Sequence, residues 1–162
     1  FVPSRGLGDV YKRQISICLT FFFLTYFDVK SDEIKIIDGD TIHLNGEKIR
    51  FSGIDTPEIK QTCTKNNEII KCGILARELL IKIIANNKIN CIREGKDQYK
   101  RTLAECFVND LSLSSYLVKN GYAFAYRKYS KKFIADEDYA RSKKLGMWSM
   151  NFEYPWDWRK KN

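Results

Sequence analysis

Residues 31–54 read SDEIKIIDGDTIHLNGEKIRFSGI, and this stretch decides the fold. Ile34 and Ile36 alternate with Glu33 and Lys35 between Ser31 and Asp38, which is the period of a half-buried strand. Ile42 and Leu44 share one face from Thr41 to Leu44. Asn45-Gly46 follows, and both residues tolerate the positive φ that a two-residue hairpin turn demands. Lys48 to Ile54 returns as a third strand, with Ile49 and Phe51 on one side and Arg50 on the other. Three strands joined by tight turns make a meander. Strands one and three run the same way in it, so their C-terminal ends share one edge of the sheet.

Beyond the meander, residues 60–71 are polar and without periodicity, and read as a loop. A helix is predicted from Gly73 to Asn86, because Leu75, Leu79, Ile83 and Ala76, Leu80, Ile84 recur at helical spacing. Lys88 to Arg93 and Arg101 to Val108 read as two further strands around a glycine-containing loop. Asp110 is placed to cap a helix over Leu111–Asn120, stopped by Gly121. A last helix is predicted over Ile134–Leu145, stopped by Gly146, and a tail holding Trp148, Trp156 and Trp158 is expected to pack across the domain. The order predicts an α+β protein. A five-stranded Greek-key β-barrel of the oligonucleotide-binding (OB) type, with about three helices, accommodates it. Periodicity by itself admits other α+β topologies.

The chain has 162 residues, 44% of them hydrophobic, enough for one cored domain and too apolar for a disordered chain. Its net charge of +8 suits a polyanionic partner, either nucleic acid or an anionic membrane surface, although solubility also explains such charge. Residues 1–14, FVPSRGLGDVYKRQ, resemble a translated cloning or adapter scar and are set aside from fold reasoning. Residues 15–27, ISICLTFFFLTYF, form an uncharged apolar run shorter than the ~20 residues of a membrane helix. A secretory signal fits this run. So does an uncleaved anchor that keeps membrane contact, since no small-residue cleavage site precedes Asp28. Residues 31–150 are read as the folded domain, and residues 151–162 form an aromatic, basic tail expected to pack on that domain.

Cys18 lies in the apolar run. Cys63, Cys72, Cys91 and Cys106 form an even set that favours disulfides in an oxidising compartment. Of the three connectivities, Cys63–Cys72 and Cys91–Cys106 are preferred. The first closes a short polar loop. The second joins positions equidistant from the centre of the predicted hairpin. Zinc is the weaker alternative, because the spacings do not match a zinc knuckle and His43, the only histidine, is far away in sequence.

Asp40 follows strand one and Asp55 follows strand three, so the meander can bring them together across 15 residues. Crowded carboxylates repel unless a cation neutralises them. Calcium accepts carboxylate, carbonyl and water oxygens, and the Thr56 carbonyl is a further donor. Magnesium, with a stricter octahedron, remains an alternative. Glu58 is placed to orient or deprotonate a water. Arg50 and Arg101 bring forked guanidinium groups that grip phosphate oxygens. Taken singly, each fragment also reads as turn or surface chemistry. Together they are what cleavage of a phosphodiester requires.

Three segments carry a family resemblance: Ile37-Asp38-Gly39-Asp40-Thr41, Arg50 through Asp55-Thr56-Pro57-Glu58, and Asp97-Gln98-Tyr99-Lys100-Arg101-Thr102-Leu103-Ala104. In order and spacing they resemble the staphylococcal nuclease (thermonuclease) family over residues 31–150. The resemblance implies an OB-type barrel with three helices and calcium held by Asp40, Asp55 and the Thr56 carbonyl. It implies Glu58 as the water-activating base and Arg50 and Arg101 on the scissile phosphate. It further implies hydrolysis of DNA or RNA at the 5′ P–O bond to leave 3′-phosphates. Tyr99 matches a tyrosine near the terminal phosphate, and Tyr126 and Tyr129 fall near base-stacking tyrosines. Three departures from the best-known member stand out: Lys100 stands where that member has a glycine before the second arginine, the loop before that motif is shorter, and cysteines are present. The cysteine segment 60–73 and the tail Pro155-Trp156-Asp157-Trp158-Arg159 look like an exported bacterial subgroup, which implies a secreted or periplasmic protein. A monomer without an obligate protein partner is expected. The alternative from another class is a non-catalytic nucleic-acid-binding module of the same fold.

Overall fold

The computed structural model describes residues 32–162, so the expectations placed on residues 1–14 and 15–27 lie outside the described residues. Ile34–Ile36 (β1), Thr41–Leu44 (β2) and Glu47–Phe51 (β3) form the antiparallel meander, and Ile54–Asp55 (β4) follows at its end. The β2–β3 turn is the expected one: Asn45 and Gly46 both take positive φ, 52° and 81°. A small hairpin of Cys63–Lys65 (β5) and Glu68–Ile70 (β6) leads into the helix Cys72–Ile84 (α1). Ile89–Lys96 (β7) and Thr102–Val108 (β8) complete the main sheet, with Leu111–Ser112 (β9) attached to β8. Leu113–Lys119 (α2), Phe124–Ala125 (β10), Ile134–Ser142 (α3), a 3₁₀ turn at Gly146–Ser149 and Pro155–Lys161 (α4) finish the chain.

The strand order β1-β2-β3-β8-β7, antiparallel except for the parallel β3–β8 pair, is that of the five-stranded Greek-key OB barrel. The fold is therefore α+β, as the sequence indicates. Ile42, Ile49 and Phe51 from the meander meet Ala104, Cys106 and Val108 from β8 inside the barrel. Helix α1 closes one end with Leu80 and Ile84, and α2 contributes Leu113, Leu117 and Val118. Arg50, between Ile49 and Phe51, takes the opposite face because strand side chains alternate. Among the described residues, no helix is long and apolar enough to cross a membrane.

Local expectations needed correction. The 60–71 segment is not all loop. It carries the β5–β6 hairpin, turned by Asn66 and Asn67 at positive φ. Its strands are too short and exposed to show alternation, and tertiary ties hold them: the Cys63–Cys72 disulfide and a bridge from Thr64 to Asn151. Helix α2 is capped by Ser112, whose side chain accepts from Ser115 N, and not by Asp110, which turns the chain at positive φ. Helix α3 ends at Ser142 and not at Leu145. A fourth helix, α4, lies in the tail. It begins with Pro155 at its first turn and ends on Arg159, Lys160 and Lys161, which suit the negative end of the helix dipole.

Both preferred disulfides are formed, Cys63–Cys72 and Cys91–Cys106, and the latter pair sit directly opposite each other in the β7–β8 register. A second core lies under the tail. Phe124 is ringed by Trp148, Phe152, Tyr154 and Trp156 at centroid distances of 5.0–6.1 Å, and the first disulfide adjoins this cluster. Edge-on aromatic contacts of this kind add to the burial of large rings.

Candidate active site

The turn from β1 to β2 presents Asp40. Asp38 Oδ1 accepts from Asp40 N at 3.0 Å and shapes the turn. Gly39 leaves room for the opposing loop, since a Cβ there would lie 2.9 Å from Thr56 Oγ1. Asp55 is set by a different device. Its strand β4 pairs with β10, placing Asp55 opposite Phe124 of the aromatic cluster. Both aspartates are buried, at 1% and 0% exposure.

One guanidinium spans them. Arg50 Nη1 donates to Asp40 Oδ1 at 2.6 Å, and Nη2 donates to Asp55 Oδ1 at 2.7 Å. Thr56 N donates to the other Asp40 oxygen at 3.0 Å. Asp40, Arg50, Asp55 and Thr56 thus form one constellation at the shared edge of β2, β3 and β4. Glu58 lies beside it. Its backbone N donates to Oε1 of the buried Gln61 at 3.2 Å, and a Cβ on Gly73 would collide with the Glu58 carbonyl, so α1 presses directly on this loop.

Arg101 immediately precedes β8, the strand beside β3. β8 pairs with β3 so that Leu103 is registered opposite Arg50, two residues along the chain from Arg101. Asp97 holds it through Nε at 2.7 Å and through its backbone N at 2.9 Å. Its ion pair is with Asp97 and not with Asp40 or Asp55. Lys100 adopts φ 62°, the left-handed backbone that favours glycine, so the turn is formed at the expense of local strain. Tyr99 is 70% exposed, with the Arg101 guanidinium over its ring. Tyr126 stacks parallel to Trp156, and Tyr129 meets Tyr126 edge-on while 69% exposed.

Two residues with direct bearing on the site had no signal in the sequence. Gln61 reads as loop polarity, yet it is fully buried, and its Nε2 donates to the Glu153 carbonyl at 2.7 Å. Arg159 of α4 reaches back over about a hundred residues. Its Nη2 donates to Asp55 Oδ2 at 2.6 Å, and its Nη1 to Glu58 Oε1 at 2.8 Å. Such an interaction depends on tertiary docking and leaves no local pattern.

Burial pushes the Asp40 carboxyl up to about 6; Arg50 opposes the rise and Asp38 adds to it. Burial raises Asp55 as well, against the pull of Arg159 and Arg50. For Arg50, burial works against the charge, but Asp40 and Asp55 outweigh it and raise its pKa. Two buried acids that resist ionisation form a site that gains from a cation. The donor set of Asp40, Asp55 and the Thr56 carbonyl is all oxygen, the chemistry of a hard cation such as calcium. Among the described residues, no group of three or more His, Cys, Asp or Glu side chains is arranged to hold a metal, so water would fill the rest of any shell.

A calcium ion held by Asp40 would compete with protons for its carboxylate. Calcium affinity is therefore expected to decline as pH falls through about 6, by about tenfold per pH unit for each proton displaced. Calorimetric titration across that range checks this, and an affinity independent of pH would contradict it. In the cation-free protein the same shift acts on folding. The folded state holds this proton more tightly than the unfolded chain does. The Asp40 contribution to stability is thus present below 3.8 and lost as pH rises through about 6.

Comparison with known proteins identifies the family. The profile described as "Staphylococcal nuclease homologue" matches residues 48–150. The chain is 30% identical over 135 residues to an uncharacterized endonuclease of Haemophilus influenzae, covering 78% of this chain and 71% of that protein. It is 29% identical over 151 residues to a micrococcal nuclease of Shigella flexneri, covering 82% of each. A staphylococcal-like nuclease of Arabidopsis thaliana is 32% identical over 116 residues, 70% of this chain and 33% of the plant protein. This chain spans only about a third of the length of that relative and of two rice relatives. The chain belongs to the staphylococcal nuclease family.

Proposed function

We propose that this chain is a calcium-dependent phosphodiesterase that hydrolyses DNA or RNA at the 5′ P–O bond and leaves 3′-phosphate ends. The observation that carries the reading is the single Arg50 guanidinium spanning two buried aspartates, with Glu58 beside them. Asp40, Asp55 and the Thr56 carbonyl would hold the calcium, which polarises a phosphoryl oxygen and draws charge off it when bound. Glu58 accepts a proton from the attacking water. Arg50 grips a non-bridging phosphate oxygen through its fork, an interaction that strengthens as charge gathers on phosphorus. Arg101, held in orientation by Asp97, would bind the phosphate and stabilise the departing 5′ oxygen. Tyr99, Tyr126 and Tyr129 would contact phosphate and bases, with stacking that is sequence-tolerant because every base offers a π-face.

The two disulfides favour a secreted or periplasmic location. The nuclease domain is assigned to residues 31–150 with 151–162 as its docked tail, acting as a monomer on nucleic acid. Release of acid-soluble nucleotides from DNA and RNA, with calcium and with chelator, is the test. Activity that appears with calcium and vanishes with chelator supports the reading. Tight nucleic-acid binding without cleavage in calcium or magnesium would replace it with the non-catalytic module.

A further inference from the structure

The C-terminal segment is docked by interactions that converge on Arg159. Thr64 N donates to Asn151 O at 2.9 Å, and Asn151 N returns a bond to Thr64 O at 2.8 Å, so the tail joins the β5–β6 hairpin. Two residues on, the Glu153 carbonyl is held by buried Gln61, whose other amide atom holds the backbone of Glu58. Tyr154 and Trp156 then pack on Phe124, the residue opposite Asp55. The helix that follows, α4, thus starts from points fastened to the backbones of Glu58 and Asp55, and Arg159 reaches the carboxylates of both. Its side chain remains 36% exposed, which leaves it room to move.

This arrangement is crowded with positive charge. Arg50 takes Oδ1 of Asp55, and Arg159 takes both Asp55 oxygens, at 3.2 and 2.6 Å. A divalent cation on Asp55 needs one of those oxygens and repels the guanidinium already there. Arg50, 16% exposed, is shared between Asp40 and Asp55; Arg159, 36% exposed at a helix end, has more room to yield. A guanidinium leaving Asp55 and Glu58 stays beside both, next to a cation. An anion with a forked acceptor between them satisfies both charges, and a phosphodiester is such an anion.

We propose that Arg159 is a third substrate-binding arginine of this site: it neutralises Asp55 and Glu58 while no cation is bound, and moves onto a non-bridging oxygen of the nucleic-acid backbone when a cation takes Asp55. The proposal rests on the phosphodiesterase reading above. In it, the C-terminal helix is part of the substrate site, and moving Arg159 from carboxylate to phosphate links cation loading to substrate binding. Removing the guanidinium has opposite effects on the two ligands.

The test uses the full chain, Arg159→Ala and Arg159→Lys, with thermal melts to verify folding. Calorimetric titration with calcium chloride and no nucleic acid should show Arg159→Ala binding calcium about fivefold more tightly, since a competing charge is gone. Cleavage of a single-stranded oligothymidylate should show its KM raised about tenfold, with the loss mainly in KM. Arg159→Lys keeps the charge without the fork, so it should bind calcium like the wild type but still show a raised KM. Unchanged calcium affinity in Arg159→Ala, an unchanged KM, or full recovery of KM in Arg159→Lys overturns the role of Arg159. If the wild type itself binds no calcium and cuts no oligothymidylate, the phosphodiesterase reading fails and takes this one with it. A wild type that does both beside an unaltered Arg159→Ala defeats only Arg159.

Discussion

Glu58→Gln is expected to lower the rate of phosphodiester cleavage by about 10²–10⁴-fold, the usual worth of a positioned general base. The substitution keeps the size and shape of the side chain and removes its ability to take a proton. It leaves the loop intact, because the loop is held through backbone: Glu58 N on Gln61, and the Glu58 carbonyl against Gly73. The substitution breaks the ion pair with Arg159, which is partly exposed and of the kind worth about 0–1 kcal/mol. The melting temperature should therefore stay near that of the wild type while the rate collapses. Turnover measured beside a thermal melt separates the two, and a near-wild-type rate would remove Glu58 from the proton-accepting role.

Arg50→Lys is expected to act on both chemistry and stability. One ammonium cannot reach Asp40 and Asp55 as the two Nη atoms do, so a buried carboxylate is left without its partner. An unsatisfied buried polar group of this kind costs about 1–3 kcal/mol, and more when charged. The fork that would face the phosphate is removed too, and a charge-stabilising arginine in phosphoryl transfer is worth about 10³–10⁵ in rate. Calcium should then restore more of the melting temperature to Arg50→Lys than it adds to the wild type, because it neutralises the carboxylates that the lysine leaves exposed to each other. Retained activity, or a melting temperature unaffected with and without calcium, would show that Arg50 does not bridge this site.

The meander was legible because each local signal agreed with the fold. Ile34, Ile36, Ile42, Ile49 and Phe51 alternate cleanly, and Asn45-Gly46 admits one kind of turn. The same pattern put Asp40 and Asp55 after strands that run the same way, so their proximity could be argued from sequence, although the third strand stops at Phe51 and Asp55 lies in β4, paired with β10. The Cys91–Cys106 bridge followed from hairpin symmetry. The β5–β6 hairpin and α4 were hidden for a common reason. Each is short, and each is held by partners far along the chain: Asn151 for Thr64, Gln61 for the Glu153 carbonyl, and Phe124 for the aromatic rings. Arg159 followed α4 out of view. Its neighbours Trp156 and Trp158 signalled packing, and nothing nearby signalled that the helix would face two carboxylates.

A crystal structure of the protein with calcium and a short oligothymidylate bears on all these roles at once. It should show one calcium coordinated by Asp40, Asp55 and the Thr56 carbonyl, a phosphate between Arg50 and Arg101, and Glu58 turned toward phosphorus. Calcium bound elsewhere, or a phosphate resting away from both arginines, would contradict the assignment of this site to phosphodiester cleavage.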